Sequence, residues 1–354
     1  MFSMFANLRK VLFPAFIGIL FLTISCGNNP AANKKKELNL YIWSAYVSPE
    51  ILEDFKKQTG IEVNYDTYDS NQVLLEKLRS GVAEYDVIVP TNWLITSLIH
   101  LKLIEKLDES LLPNKHNLMA QFQNPAYDPK NEYSIPFVWG TNGIAYNSTK
   151  VDENADSWSI LWNPKYRDRI SMLDNAGDCF LAALKWKGHS LNTRDSQQLT
   201  EARNLLVQQK PLVKVYNSSN FDEILLSGDV WIAYGYSGQL ARAMDQNKDI
   251  RFFVPKEGSL VWMDTLAIPT SAPHKKEAYE FVNFLLRPEV AAATTNNTGY
   301  SSANQSAQPL IKPEFLKNPA RYPDQQTLAR CEWSIDQPDI DKIKDLYWTE
   351  IKSK

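Results

Sequence analysis

Hydrophobic residues recur along the chain with the spacings of strands and helices in turn. Ile51, Leu52 and Phe55 fall on one face of a helix that ends at Gly60, because residues three and four apart share a helix face. The same half of the chain predicts strands over residues 38–42, 61–65 and 86–89 and helices over residues 71–79 and 95–103. This alternation favours a parallel sheet, whose ligands bind beyond the carboxyl ends of the strands.

The second half of the chain continues the alternation. It predicts strands over residues 135–139, 213–216, 230–234, 250–254 and 260–268, and helices over residues 178–186, 200–208, 239–245, 275–286 and 339–351. We expect the strand at 135–139 to end at Gly140, where the chain leaves one lobe for the other. The predicted fold class is therefore α/β, and two α/β lobes that share two or three crossovers would fit the alternation. We expect the first lobe to comprise residues 37–139 and 264–308, and the second to comprise residues 140–263 and 309–354.

The N-terminal stretch has the pattern of a secretion signal. Arg9 and Lys10 precede an apolar run over residues 11–24, which is too short for a typical membrane span. The residues before Cys26 resemble a bacterial lipobox, although Thr23 stands where leucine is usual. We expect a lipoprotein signal peptide over residues 1–25 and a lipidated cysteine with its tether over residues 26–36. This interpretation anchors an extracytoplasmic domain to a membrane of the bacterial cell envelope through Cys26; in the alternative, the signal is cleaved after any small residue and Cys26 is incidental.

Composition and charge narrow the range of functions. The chain has 354 residues and a net charge of −3, which argues against nucleic acid as a partner. Lipidation of Cys26 would leave Cys179 and Cys331, either paired or free. The sequence contains no P-loop, dinucleotide fingerprint or zinc-spaced cluster, and its four histidines are scattered. Residues 234–238 fall short of a nucleophile elbow because Gln239 stands in place of glycine, so we predict no catalytic residue, metal or cofactor.

Aromatic and acidic residues occur together near predicted strand ends. Trp262 and Asp264 lie two apart in a strand, so the indole and the carboxylate point to the same face. Further aromatics or carboxylates occur in residues 43–46, 90–93, 174–178, 233–236 and 298–300. Carboxylates that face aromatic rings suit an organic cation, since the rings attract the cation and the carboxylates balance its charge. The alternative is a buried strand whose aspartate caps a turn.

Long stretches of the sequence resemble the periplasmic polyamine-binding proteins of bacterial ABC transporters, the spermidine/putrescine receptor type. The resemblance covers nearly all of the mature chain and is strongest in residues 133–141 (YSIPFVWGT), 262–269 (WMDTLAIP) and 281–291 (FVNFLLRPEVA). It implies an α/β, two-lobed type II periplasmic-binding-protein fold that closes on its ligand, with hinge crossovers and an interlobe ligand cleft. It also implies a receptor, not an enzyme, that captures putrescine or spermidine and delivers it to a membrane permease. We expect a monomer, because hinge closure needs no second copy of the chain.

The resemblance also implies roles at the site. It implies an aromatic box formed by Trp43, Trp93, Tyr234, Trp262 and Tyr300. It implies hydroxyls or ring edges from Ser44, Tyr46 and Thr91, and an ammonium partner in each of Asp178 and Asp264. Two departures bear on selectivity, because spermidine-type members carry acids where this chain has Ala45 and Asn175. Fewer fixed anions leave fewer partners for three ammonium groups, so we predict a preference for putrescine over spermidine.

Three other functions fit parts of the sequence. A receptor of the same fold could bind another small organic ligand such as a sugar, although carboxylates that face indoles favour cations. An extracytoplasmic hydrolase on an α/β scaffold would show turnover, and mutation of Asp264 would then reduce the rate more than binding. A polyamine sensor or an adhesin would keep the cleft and pass a signal to a partner, and the sequence does not separate it from a transport receptor.

Overall fold

The computed structural model of the chain describes residues 36–44, 46–82, 84–152 and 155–353. The predicted signal peptide, Cys26 and most of the predicted tether lie outside the described residues, and so does Ala45. Among the residues that are described, no helix combines the length and the apolar character that crossing a membrane requires.

Strands and helices alternate through most of the described chain. The strands are β1 (Glu37–Trp43), β2 (Glu62–Tyr68), β3 (Val87–Ile88), β4 (Ile135–Asn147), β5 (Ile170–Met172), β6 (Val213–Tyr216), β7 (Ile232–Tyr236), β8 (Ile250–Phe253), β9 (Leu260–Leu266), β10 (Ser301–Ser302) and β11 (Glu332–Trp333). The helices are α1 (Pro49–Thr59), α2 (Asn71–Arg79), α3 (Asn92–His100), α4 (Ala176–Trp186), α5 (Ser196–Gln209), α6 (Phe221–Leu226), α7 (Ser237–Gln246), α8 (Lys275–Leu285), α9 (Pro288–Thr298), α10 (Pro313–Leu316), α11 (Gln325–Ala329) and α12 (Pro338–Ser353). The predicted order of strand, helix, strand, helix, strand at the start of the domain is confirmed.

The first lobe is built on a sheet that begins with the parallel order β2-β1-β3. β9 returns beside β3 in the antiparallel direction, where Ile88 bridges Ala267. α1 packs beside β2 and also against α8, because Phe55 is fully buried with its ring 4.9 Å from that of Phe281 and 5.1 Å from that of Phe284 on α8. The carboxyl ends of β1 and β3 lead into the candidate site.

β4 is the strand that joins the two lobes. Its first half pairs with β9 and β10, and its second half pairs with β7 and β8. The prediction that this strand ends at Gly140 is wrong, because β4 continues to Asn147. Glycine at position 140 does not end the strand but leaves room for the Trp262 indole, since a Cβ at Gly140 would lie 2.6 Å from Cζ2 of Trp262.

The second lobe has its own core. β5 pairs in parallel with both β6 and β7, and β7 pairs antiparallel with β4. α4, α5 and α12 pack against one another at this core. Trp158 is fully buried, with its ring edge-on to that of Tyr234 at 5.1 Å, so Tyr234 lies inside the lobe.

The C-terminal segment contacts both lobes. α12 buries Ile340, Trp348 and Ile351 against the second core, and β11 pairs with β9. Ile311 and Phe315 instead pack against α9. The two-lobed α/β fold is as predicted, whereas the residue boundaries of the lobes stay a prediction.

Candidate functional site

The carboxylate of Asp264 lies buried where β9 passes the end of β3. Its Oδ2 accepts a hydrogen bond from the Tyr46 hydroxyl at 2.5 Å, and its Oδ1 accepts one from Thr91 Oγ1 at 2.6 Å. Thr91 is itself fixed by Asn71, whose Nδ2 donates to Thr91 Oγ1 at 2.9 Å. Burial raises the pKa of Asp264 from 3.8 to about 6, and the two hydroxyl donors act in the opposite direction. Each carboxylate oxygen keeps acceptor capacity for a further donor.

Four aromatic rings form a continuous row beside this carboxylate. Tyr46 and Tyr300 lie 4.9 Å apart between ring centroids, and Trp262 lies 5.9 Å from Tyr300. Trp262 in turn meets Tyr236 edge to face at 6.3 Å. We call these four residues the aromatic row. Tyr46, Tyr300 and Trp262 are buried and Tyr236 is half-buried, so the row has little contact with bulk water.

A second buried carboxylate, that of Asp178, lies at the other end of the aromatic row. It accepts hydrogen bonds from the Tyr236 hydroxyl at 2.9 Å and from Asn142 Nδ2 at 2.6 Å. Asn175 also donates its amide to Asp178 Oδ2, and it caps α4 by accepting from Asp178 N at 2.8 Å. Burial raises the pKa of Asp178, and the hydrogen-bond donors around the residue partly offset that effect.

Tyr234 lies behind Asp178 rather than in the aromatic row. Its hydroxyl donates to the carbonyl oxygen of Asp178 at 3.2 Å and accepts from Asn142 Nδ2 at 2.9 Å. Tyr236, two residues further along β7, stands beside Trp262 instead. Both tyrosines lie on one face of the strand, so periodicity alone does not predict which of them joins the aromatic row. The signal that marks Tyr236 is its position at the carboxyl end of β7, directly before α7.

The remaining predicted residues lie around the end of the first lobe's sheet. Trp43 ends β1 and is half-buried, with its ring 4.6 Å from that of Tyr68. Trp93 is half-buried in the first turn of α3, and Ser44 is exposed after β1. The indole N–H groups of Trp43 and Trp262 are buried and meet no acceptor among the described residues. Both donors are therefore open to an acceptor from water or a ligand.

Gly238 makes room for Tyr300 in the aromatic row. A Cβ at Gly238 would lie 2.3 Å from Cδ1 of Tyr300, far inside van der Waals contact. Gly140 provides the same kind of space for Trp262. The row thus depends on two glycines, one on the connecting strand β4 and one in the first turn of α7.

The described residues give little support to metal or disulfide chemistry. Cys179 and Cys331 are free thiols, one buried and the other partly exposed. Within the part of the chain that is described, no group of three or more His, Cys, Asp or Glu side chains could hold a metal ion. The site consists of carboxylates, amides, hydroxyls and aromatic rings, which suit a cationic organic ligand.

Known proteins are similar to the chain over nearly its full length. The family described as bacterial extracellular solute-binding protein matches residues 50–323. The spermidine/putrescine-binding periplasmic protein of Salmonella typhimurium is 36% identical over 338 residues, which cover 95% of this chain and 96% of that protein. The putrescine-binding periplasmic protein PotF of Escherichia coli strain K12 is 32% identical over 367 residues, which cover 98% of this chain and 99% of that protein. The crystal structure of the spermidine/putrescine ABC transporter substrate-binding protein PotD from Streptococcus pneumoniae gives a TM-score of 0.80 at 33% identity, over 90% of this chain and 99% of that chain.

Proposed function

The chain belongs to the family of bacterial extracellular solute-binding proteins, and we propose that it captures a polyamine and delivers it to an ABC importer. The observation that carries this proposal is the aromatic row, with the buried carboxylates of Asp264 and Asp178 at its two ends. The family is one of transport receptors rather than enzymes, so we expect the ligand to be released unchanged.

Asp264 supplies the main partner for an ammonium group. A polyamine is a string of ammonium groups on methylene spacers, and each ammonium must replace its hydration when it enters a closed site. Tyr46 and Thr91 orient the carboxylate of Asp264 and leave acceptor positions on both oxygens. A nearby ammonium favours the ionised carboxylate, so it lowers the pKa that burial raises. Ligand binding and ionisation of Asp264 therefore support each other.

The aromatic row supplies the apolar contact that the methylene spacers need. An ammonium over the face of one of these rings adds cation–π attraction of about 0.5–2 kcal/mol. An uncharged ligand such as a sugar would leave the two buried carboxylates without a cation. This difference supports a polyamine over a sugar.

The number of carboxylates supports putrescine over spermidine. Putrescine has two ammonium groups, and the site offers the two acids Asp264 and Asp178. The amide of Asn175 donates to Asp178, whereas an acid in its place would supply a further anion. The additional ammonium of spermidine thus has no acid of its own.

Calorimetric titration of the mature protein, freed of bound ligand, tests the proposal. We expect one-to-one binding of putrescine, weaker binding of spermidine, and no binding heat in Asp264→Asn. Asp229→Asn is the matched control, because it removes an exposed acid of the second lobe and should leave the titration unchanged. No heat with either polyamine in folded protein would refute the function. Spermidine binding about tenfold tighter than putrescine, or about 1.4 kcal/mol, would refute only the preference.

We further infer that the receptor is a monomer held at the membrane by lipid on Cys26. The support for the anchor is the sequence pattern before Cys26. In cells, Cys26→Ser should move the protein from the membrane fraction to the soluble fraction. A variant that stays with the membrane would contradict the anchor, and a dimer in light scattering would contradict the monomer.

A further inference from the structure

Two arginine side chains surround Gly299, the residue between α9 and Tyr300. Arg242 of α7 donates from Nη1 to the carbonyl oxygen of Thr298 at 2.8 Å, and Arg321 donates from Nε to the next carbonyl oxygen at 3.0 Å. Gly299 has a left-handed conformation with φ +81°, and a Cβ there would lie 3.0 Å from Cγ of Arg242. The carbonyl groups of Thr298, at the end of α9, and of the cap residue Gly299 therefore face two positive charges, which the negative end of the helix dipole favours.

Arg321 is a buried charge in the turn between α10 and α11, and its acidic partner lies on α7. The residue is 1% exposed, and its guanidinium lies 3.7 Å from the ring centroid of Phe315. Its Nη2 donates to Asp245 Oδ2 at 2.6 Å, and its Nη1 donates to Asp245 Oδ1 at 3.4 Å, in a two-pronged arrangement. Asp245 lies in the last turn of α7, where the helix dipole disfavours an acid. We therefore attribute its position to the pairing with Arg321.

This ion pair joins the two lobes. α7 packs on β7 and β8, and its residue Leu240 belongs to the second core. α9 packs on α1 and α8 of the first lobe. Arg321 is tied to the first lobe as well, because Ser301 Oγ of β10 donates to its carbonyl oxygen at 2.6 Å. The predicted lobe boundaries assign residue 321 to the second lobe, but these contacts attach Arg321 to the first lobe. Arg321 and Asp245 thus lie on opposite lobes and meet beside the turn that carries Tyr300.

We propose that Arg321 and Asp245 form an interlobe latch, which holds the receptor closed and keeps Tyr300 in the aromatic row. If α7 separated from the end of α9, the Asp245 carboxylate would move away from the Arg321 guanidinium, which would stay buried against Phe315. An unpaired buried charge is costly, so the latch disfavours opening and slows ligand release. Arg321 touches the turn that carries Tyr300, and Asp245 holds Arg321 in place. The test of the latch with putrescine rests on the proposed function.

Asp245→Asn removes the charge of the latch and keeps the shape of the side chain. We expect the Kd of putrescine to rise about tenfold, mainly through faster dissociation in stopped-flow tryptophan fluorescence. Asp245→Glu keeps the charge at a partly exposed position and should return the Kd to within about threefold of the unmodified protein. Glu62→Gln is the matched control, because it removes a partner of Lys56 at 2.6 Å within the first lobe. Glu62→Gln should leave both the Kd of putrescine and its dissociation rate unchanged.

Small-angle scattering of the ligand-free proteins separates failure of the latch from failure of the proposed function. Asp245→Asn should have a larger radius of gyration than the unmodified protein, because more of its population is open. If the unmodified protein binds no polyamine, the proposed function fails and the scattering alone decides on the latch. If Asp245→Asn is folded and matches the unmodified protein in scattering and in the dissociation rate, the latch is refuted.

Discussion

Substitution of Asp264 by asparagine should stabilise the ligand-free protein while it removes binding. The pKa of Asp264 rises from 3.8 to about 6, because burial disfavours the charged carboxylate. The folded protein therefore holds this proton more tightly than the unfolded chain does. At about 1.4 kcal/mol for each pH unit, the ionised form costs about 3 kcal/mol more in the folded protein than in the unfolded chain.

The pH dependence follows from the direction of this pKa change. The contribution of the protonated carboxyl to stability is complete below pH 3.8 and is lost as the pH rises through about 6. An asparagine stays neutral throughout this range. The stability of Asp264→Asn relative to the unmodified protein therefore increases as the pH rises. From about pH 4.5 to about pH 7.5, the free energy of unfolding of Asp264→Asn relative to the unmodified protein should increase by about 2 kcal/mol. The increase is smaller than about 3 kcal/mol because part of the cost of ionising Asp264 is already present at the lower pH. Any steric cost of the new amide beside Tyr46 and Thr91 is the same at both pH values and cancels.

Urea unfolding of the ligand-free proteins at these two pH values measures the gain. The free energy of unfolding of Asp264→Asn, relative to the unmodified protein, should increase with pH. An equal difference at both pH values would refute the link between burial and the raised pKa. Putrescine should then stabilise the unmodified protein at the higher pH and leave Asp264→Asn unchanged, because only a protein that binds the ligand gains from it.

Three further substitutions test the packing and charge of the site, each by calorimetric titration. Gly238→Ala places a methyl group 2.3 Å from Tyr300 Cδ1, so we expect the Kd of putrescine to rise at least about tenfold; an unchanged Kd would contradict the tight packing. Tyr236→Phe removes the hydroxyl that donates to Asp178 and should weaken binding by about 1 kcal/mol, and full affinity would show that this hydroxyl does not position the carboxylate. Asn175→Asp keeps a helix cap but sets a second acid against Asp178, so the affinity for spermidine should rise relative to putrescine; an unchanged ratio would contradict the charge argument.

Periodicity predicted the strand that organises the site but not the depth of each residue. Trp262 and Asp264 share a face of β9, and both take part in the arrangement around Tyr46 and Tyr300, as local alternation requires. Tyr234 and Tyr236 alternate in the same way along β7. Tyr234 is nevertheless buried inside the second lobe, because Trp158, from a turn far away in sequence, packs against its ring. The depth of a residue depends on such distant packing, which a local pattern does not contain.

Residues that act through long-range contacts were beyond prediction from the sequence. Asn142 is a polar residue within an apolar strand, and only the structure shows that it donates to Asp178. Arg321 lies in a proline-interrupted tail with weak periodicity. Its partner Asp245 lies near the end of a predicted helix, where nothing in the local sequence indicates a distant ion pair. Gly140 indicated a break because glycine often ends a strand, whereas β4 uses it to admit a neighbouring indole.

The order in which the chain folds is constrained by β4. Its first half pairs with β9, with Ile135 opposite Leu266, so the sheet of the first lobe stays incomplete until β9 has been synthesised. Pairing between residues so distant in sequence is slow, because the entropy of closing a long loop opposes it before the contacts form. We therefore expect the sheet of the first lobe to form late in folding, after the part of β4 that pairs with β7 and β8.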